Sequence, residues 1–250
     1  MRRWIERRAL RGLLIAAVYL LVWQGAAAAV ARPLLLPGPG ETVRRLFALL
    51  AQPESWAAIG LTLGRILLGF VLGVCGGVLL GALTGASRFA DALLAPLRGI
   101  VKATPVTSFI LLALLWFPSG MVPVWIALLM VLPIVWASVL GAIRATDPAL
   151  LEMARVYREG FPAWKRIRHI YVPSAMPQFL TACTTAFGFA WKSGVAAEIL
   201  SLPRRAVGSF LYQSKLTLET ADLFAWTLCV ILLSLLLEGA LLYAARKVRP

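Results

Sequence analysis

Charged side chains are scarce in this chain, and acidic ones are scarcer still. Only 14% of its 250 residues are charged, with 11 acidic residues against 25 lysines and arginines, while 60% are hydrophobic. A typical soluble domain has roughly a quarter of its residues charged. The shortage therefore excludes an ordinary soluble protein and predicts an integral membrane protein.

The chain also lacks the residues that several kinds of site require. It has one histidine and three cysteines, with no cluster of metal-ligating residues in the sequence. We therefore predict no metal site and no disulfide framework. No G-x-x-x-x-G-K-[S/T] segment is present, and the nearest match, at Gly188 to Ser193, has Trp191 in place of the second glycine. We expect no catalytic residue and no bound cofactor in this chain, so any ATP chemistry must lie elsewhere.

Long uncharged runs predict the fold. The run 103–143 would reach roughly 60 Å as one helix, twice a hydrocarbon core, so it must fold back on itself. Pro118, Ser119 and Gly120 supply the turn, and Pro123 begins the return helix. The predicted fold is an all-α integral membrane domain, 1–250, with about six transmembrane helices. These spans lie near 11–31, 60–85, 97–118, 121–143, 176–200 and 221–245.

Two further predictions concern the ends of the chain. The first apolar run is nearer 20 residues than the 7 to 15 of a signal peptide, so we expect it to remain as a span. If the N-terminus lies inside, most lysines and arginines fall in cytoplasmic segments, which is the distribution that membrane proteins favour. We therefore predict that both termini lie inside. Six fall outside: Arg32, Arg44, Arg45, Arg204, Arg205 and Lys215. The net charge of +14 therefore reflects topology, and no nucleic-acid partner is predicted.

A ladder of glycines marks the second predicted span. Gly69, Gly73, Gly77 and Gly81, followed by Gly85, recur every four residues and so share one slowly drifting helix face. Such a face allows close helix approach. Packing within one subunit and a subunit or gate interface both remain open. Arg65 lies one turn outside the ladder, where its side chain can snorkel to the outer boundary.

A basic insert, 144–175, separates the fourth and fifth predicted spans. Asp147 is a good N-cap and Pro148 a good first residue for a helix ending near Arg158. Pro162 can begin a second helix, which Pro173 should end. One alternative is that the insert is a basic amphipathic segment lying on anionic lipid. That interpretation explains the charges but gives no reason for two capped helices.

The insert resembles a known signature. EMARVYREGFPAWKRIRHIYVP, from Glu152 to Pro173, is similar to the cytoplasmic loop of binding-protein-dependent ABC importer permeases, with its pattern of E-A-A, three residues, G, nine residues and I-x-L-P. The second half fits closely, with Val172 in place of leucine. In the first half the recognisable triplet lies two residues early. The whole pattern is most similar to the nitrate, sulfonate and taurine importer branch.

This resemblance implies a division of labour. Two copies of the permease form a pathway, two cytoplasmic ATPase subunits bind ATP and Mg²⁺, and an external binding protein delivers the solute. The insert is then the coupling element that binds each ATPase, and the permease itself lies in the bacterial inner membrane. The residues that it assigns to coupling are Glu152, Met153, Ala154, Arg155, Tyr157, Gly160, Ile170 and Pro173.

Charges inside the spans are the remaining candidates. Lys192 lies about two-thirds along the fifth span, where a charge needs a partner or a wet cavity. It can line a pathway and attract an anion such as a sulfonate, or it can have a structural partner. Glu198, the second pathway candidate, is expected at the outer mouth. Glu238 is interpreted as an interfacial or inter-helix residue.

Two other functions remain open. A secondary transporter or channel would work without an ATPase, although no internal repeat is visible in the sequence. A membrane scaffold would use the basic insert to bind lipid. The first would carry flux alone in liposomes, and the second would bind anionic vesicles through the insert.

Overall fold

The computed structural model describes residues 2–156 and 162–248, and every regular element in these ranges is helical. In chain order the helices are α1 (Arg2–Val30), α2 (Pro39–Leu50), α3 (Pro53–Ala86), α4 (Arg88–Ala103), α5 (Val106–Trp116), α6 (Val122–Arg144), α7 (Pro148–Val156), α8 (Ala163–Arg166), α9 (Val172–Ser201), α10 (Val207–Leu216) and α11 (Thr220–Val248). A π-helical turn, Ile167–Tyr171, joins α8 to α9.

Three of these helices are long and apolar enough to cross a membrane. They are Pro53–Ala86, Val122–Arg144 and Thr220–Ala245, and a fourth span results if α4 and α5 count as one broken crossing. The apolar part of α1 covers Leu14–Val30, while α9 has 30 residues but more polar ones. Each of the six predicted spans thus corresponds to a helix or a helix pair, and six crossings remain a prediction from the sequence.

The third predicted span is not straight. α4 and α5 meet at an angle of 103°. Thr104 is extended because the following Pro105 disfavours a helical conformation there, and Pro105 then caps α5. The predicted turn after α5 is confirmed, since the Met121 N–H donates to the Pro118 carbonyl at 2.8 Å and Pro123 lies in the first turn of α6.

The core forms where α3, α6 and α9 pack together. The glycine ladder of α3 lies against α6, and a Cβ atom added at Gly73, Gly77 or Gly81 would come within 2.7 Å of a valine Cβ on α6. Trp191 of α9 is buried in the same cluster. The ladder therefore lies at a helix contact within one subunit, which favours the first of its two interpretations.

The prediction that Pro173 ends a helix is wrong. α8, the π turn and α9 follow one another without a break, so helical backbone runs from Ala163 to Ser201. Within the turn the Val172 N–H donates to the carbonyl of Ile167, five residues before. This wider turn makes room for the proline ring, which in an α-helix clashes with the carbonyl four residues earlier.

Candidate functional site

The first arm of the insert, α7, is a short capped helix with an apolar outer surface. Asp147 accepts a hydrogen bond from the Ala149 N–H at 2.8 Å, which confirms its predicted capping role. Ala154 is only 3% exposed and faces the protein, whereas Met153 is 48% and Val156 82% exposed. Large apolar side chains exposed beside polar sequence are typical of a surface that another protein covers.

The other coupling residues divide into several groups. Glu152 is exposed on α7, and Arg155 belongs to the same helix. Tyr157 and Gly160 lie outside the described residues. In the second arm, Ile170 is buried in the π turn. Pro173 is exposed at the start of α9. The structure adds Val156 to this set, since its side chain is exposed on α7 beside Met153. Val156 was not among the predicted coupling residues.

A polar network fixes the base of the insert to the membrane helices. Arg144, the last residue of α6, donates to Asp91 of α4 at 2.6 Å. Arg98 also donates to Asp91, at 3.5 Å, and its guanidinium lies over the ring of Trp136 at 5.3 Å from the centroid. The Trp136 indole in turn donates to Thr84 of α3 at 2.8 Å. α3, α4 and α6 therefore hold the point from which the insert departs.

A small open cleft lies beside the middle of α9. Its volume is about 230 Å³, and it is lined by Thr184, Thr185, Gly188, Phe189, Lys192 and Glu238. Lys192 is exposed on α9, and Glu238 approaches from α11. Among the described residues neither of these two belongs to an ion pair. The cleft therefore contains both side chains without an ion pair between them.

The exposed face of α9 is polar along much of its length. Gln178, Thr181, Thr185 and Lys192 are exposed and follow one another at helical spacing. The hydroxyls of Thr181 and Thr185 donate to the carbonyls of Pro177 and Thr181 within the helix. Hydrocarbon chains cannot satisfy the Gln178 amide or the Lys192 ammonium, so these two side chains need water or polar protein beside them. This spacing is visible in the sequence, and it is the signal that would have brought the threonines into the predicted site.

Glu198 does not lie at an outer mouth, and the prediction for it is corrected. Its side chain is 0% exposed and accepts hydrogen bonds from Thr62 at 2.9 Å, Arg65 at 3.1 Å and the Gly208 N–H at 3.2 Å. Arg65 is paired rather than snorkelling, and it also donates to the Arg204 carbonyl at 3.2 Å. A carboxylate buried between α3 and α9 needs these donors, so it holds the corner between α9 and α10.

That corner has an unusual backbone. Leu202 and Arg205 have φ values of 49° and 51°, in the left-handed region that favours glycine. The hydrogen bonds to Glu198 and to the Arg204 carbonyl span this segment. They offset the strain. Arg65 and Glu198 are 133 positions apart, so no periodic pattern in the sequence predicts that they pair.

A second ion pair joins α2 to α11 near the same end of the bundle. Arg45 of α2 pairs with Asp222 at the start of α11. The hydrogen bond to Asp222 raises the pKa of Arg45 above its ordinary value. The ion pair therefore joins the amphipathic α2 to the last helix.

Known transport proteins resemble this chain in sequence. The family model described as binding-protein-dependent transport system inner membrane component matches residues 73–250. A putative aliphatic sulfonates transport permease protein of Bacillus subtilis is 29% identical over 219 residues, covering 86% of this chain and 78% of the relative. The taurine transport system permease protein of Escherichia coli is 24% identical, covering 99% and 92%.

A third relative and a solved structure extend the likeness. The nitrate import permease protein of Synechococcus elongatus is 24% identical, covering 79% of this chain and 73% of its own length. An inward-facing structure of the MetNI methionine ABC transporter has a TM-score of 0.59 at 17% identity, covering 78% of this chain and 94% of the matched chain. The structural likeness establishes the fold.

Proposed function

The chain belongs to the binding-protein-dependent transport system inner membrane component family, and from that premise we propose that it is the permease subunit of an ATP-driven importer for a small, charged solute. It carries the solute into the cytoplasm by alternating access. Two copies form the pathway, and an external binding protein delivers the solute. ATP and Mg²⁺ are bound by separate cytoplasmic ATPase subunits. The observation that carries the proposal is the exposed apolar surface of α7.

The α7 surface fits an ATPase better than it fits a lipid bilayer. Met153 and Val156 are exposed at the end of a helix that is fixed at its base through Arg144 and Asp91. A short rigid helix with two apolar side chains suits a groove on a partner protein. Alternating access requires this partner to bind the two conformations with different affinities. α7 begins at Pro148, shortly after α6 ends at Arg144, so that difference can reach the spans.

The polar face of α9 supports the pathway and the dimer. Gln178 and Lys192 are exposed on this face and need water or polar protein beside them. A second copy facing α9 would enclose such a face and leave water between the two copies. The exposed apolar side chains of α1 and α11, such as Leu21, Leu235 and Leu236, then contact membrane lipid.

The relatives support the class of solute and the orientation. Their names specify aliphatic sulfonates, taurine and nitrate, and Lys192 supplies a positive charge at mid-span for the acidic group of such solutes. Both termini and the insert lie in the cytoplasm, as the distribution of lysine and arginine indicates. α10 and the corner before it then lie on the outer side, where the binding protein docks.

Affinity purification from native membranes tests the docking surface. The tagged double variant Met153→Asp/Val156→Asp should lose its co-purifying ATPase at least tenfold relative to the parent, because a buried carboxylate in an apolar contact is strongly unfavourable. Leu218→Asp is the matched control, since Leu218 is exposed at 64% near the opposite end of the bundle. It should retain the ATPase.

Two outcomes would contradict the proposal. If the double variant retains the ATPase, α7 is not the docking helix. If the parent protein recovers no ATPase under conditions that keep other membrane complexes intact, and it carries flux alone in liposomes, the protein is an autonomous channel or secondary transporter. Recovery of anionic lipid in place of an ATPase would instead favour the scaffold.

A further inference from the structure

We propose that a cleft at the outer end of the bundle binds an organic cation through an ammonium or guanidinium group. This outer cleft has a volume of about 320 Å³ and lies between the ends of α2 and α10 and the starts of α3 and α11. Within the described residues its lining contains three carboxylates, Glu54, Glu219 and Asp222, and no lysine or arginine. The site goes beyond the proposed function and takes from it only the orientation of the chain in the membrane.

Two of the three carboxylates are not compensated by a cation. Arg45 donates to both carboxylate oxygens of Asp222 and so neutralises that side chain. Glu54 and Glu219 are exposed, and neither belongs to an ion pair within the part of the chain that the structure describes. The outer cleft therefore has a negative potential, which attracts a cation.

A buried hydroxyl opens into the same cleft. Ser55 is only 2% exposed and lines the wall beside Glu54. Its hydroxyl has no hydrogen-bond partner among the described residues. No fully buried side-chain oxygen in these ranges lacks a partner, so the Ser55 oxygen is reached from the cleft and is not sealed in the protein. A hydroxyl held in this way is satisfied by a ligand N–H that donates to it.

The neighbouring hydroxyls also favour a ligand rich in N–H donors. The Ser214 hydroxyl donates to the Phe210 carbonyl at 2.9 Å, and the Thr217 hydroxyl donates to the Gln213 carbonyl at 3.2 Å. With its proton used in this way, a hydroxyl offers only acceptor lone pairs to a ligand. Ser214 and Thr217 both line the outer cleft, so they add acceptors to its carboxylates.

The chemistry of the lining fits an organic cation better than a metal ion. In the described ranges no three metal-ligating side chains lie close enough together to hold a metal ion. Phe210 and Trp226 stack with their ring centroids 5.1 Å apart, and both line the outer cleft. Aromatic rings bind organic cations through their faces and contact the attached carbon chain. A charged nitrogen group on a short carbon chain therefore matches both the carboxylates and the rings.

The outer cleft lies beyond the hydrocarbon core. α3 has 34 residues, which as a helix extend roughly 50 Å, whereas the hydrocarbon core is roughly 30 Å thick. Its first turn, with Glu54 and Ser55, therefore projects into the outer aqueous layer. Two sources of the cation can reach it there: a soluble amine, or a basic side chain of the external binding protein.

Saturation-transfer NMR on the purified transporter in phosphatidylcholine nanodiscs tests the site with two cations and their neutral isosteres. Butylguanidinium is compared with butylurea, and a tripeptide with a central arginine is compared with the same peptide containing citrulline. Butylguanidinium should give a signal about tenfold above that of butylurea, because hydrogen bonds between charged groups are the strong ones. An equal excess for the arginine peptide would identify a side chain as the source, and an excess for butylguanidinium alone would identify a soluble amine.

Substitutions in the lining should weaken only the cation signals. Glu54→Gln and Glu219→Gln should each lower the butylguanidinium signal about threefold, and the double variant about tenfold, as expected for exposed ion pairs at separate positions. Ser55→Ala should lower it about threefold by removing the acceptor hydroxyl. Glu41→Gln is the matched control, since Glu41 is an exposed carboxylate near the same end that does not line the outer cleft. It should leave the signal unchanged.

Three results would overturn the inference: equal signals from the cations and their neutral isosteres, no cation signal in the parent protein, or an unchanged cation signal in the double variant. Co-purification of the ATPase is measured on the same preparations and should persist in every variant, which shows that each is folded. Loss of the cation site with the ATPase retained contradicts only this inference. Failure of the parent protein to recover an ATPase contradicts only the proposed function.

Discussion

Replacing glycines of α3 by alanine distinguishes the packed face of this helix from its free face. Gly77 faces α6, where an added Cβ atom would lie 2.7 Å from the Cβ atom of Val135 and 3.0 Å from the Leu132 carbonyl oxygen. Gly64 is exposed on the same helix, and an added Cβ atom would have nothing within 4 Å. The two variants add the same methyl group to one helix in opposite environments.

The expected effects differ in sign. Carbon atoms prefer roughly 3.5 to 4.0 Å, so Gly77→Ala must push α3 and α6 apart by about 1 Å. Overpacking of this kind costs about 1–3 kcal/mol. Alanine is favoured over glycine within a helix by about 0.5–1 kcal/mol, and only Gly64→Ala receives this gain without the clash. Gly64→Ala should therefore stabilise the protein slightly, and Gly77→Ala should destabilise it.

Thermal unfolding of the purified protein in detergent measures the difference. A free-energy change of 1 kcal/mol moves Tm by roughly 2–4 °C for a chain of this size. The two variants should therefore differ in Tm by about 2–12 °C, followed by the fluorescence of the buried Trp136 and Trp191. Equal Tm shifts for the two variants would refute the α3–α6 contact, since only that contact separates their environments.

Three further changes test the polar contacts by the same measurement. Glu198→Ala should cost about 3–5 kcal/mol because it leaves the partly buried guanidinium of Arg65 without its carboxylate and the buried Thr62 hydroxyl and Gly208 N–H without their acceptor, whereas the exposed Glu54→Ala should have little effect; similar Tm values would exclude these contacts. Asp91→Asn should have only a small effect on Tm, since its partner Arg144 is half exposed, and a shift as large as that of Glu198→Ala would show a tighter network. Trp136→Phe should cost about 1–2 kcal/mol, by removing the indole donor to Thr84, and an unchanged Tm would contradict that bond.

The sequence was informative where a single segment determines the structure. The turn after α5 and the cap at Asp147 depend on residues within a few positions of each other, so local rules predicted them. The glycine ladder likewise marks a close contact by its spacing alone. These features required no knowledge of what packs against them.

Predictions failed where the outcome depends on a distant partner. Glu198 was assigned to the outer mouth because its donors Thr62 and Arg65 belong to another helix, and nothing in the sequence spacing relates the two segments. The helix end at Pro173 was predicted from a rule that holds for α-helices, and the π turn removes its physical basis. Lys192 was found, but its counterpart Glu238 comes from α11 and became part of the cleft only through folding.

The unbroken helical backbone from Ala163 to Ser201 gives the protein a lever. One end lies in the insert, and Lys192 lies about 20 residues beyond the π turn, roughly 30 Å along the axis. A few degrees of rotation about the wide turn therefore move the ammonium group by an ångström or more relative to Glu238 on α11. Motion imposed at the insert, which the proposed coupling requires, would change the separation between Lys192 and Glu238 on the two helices.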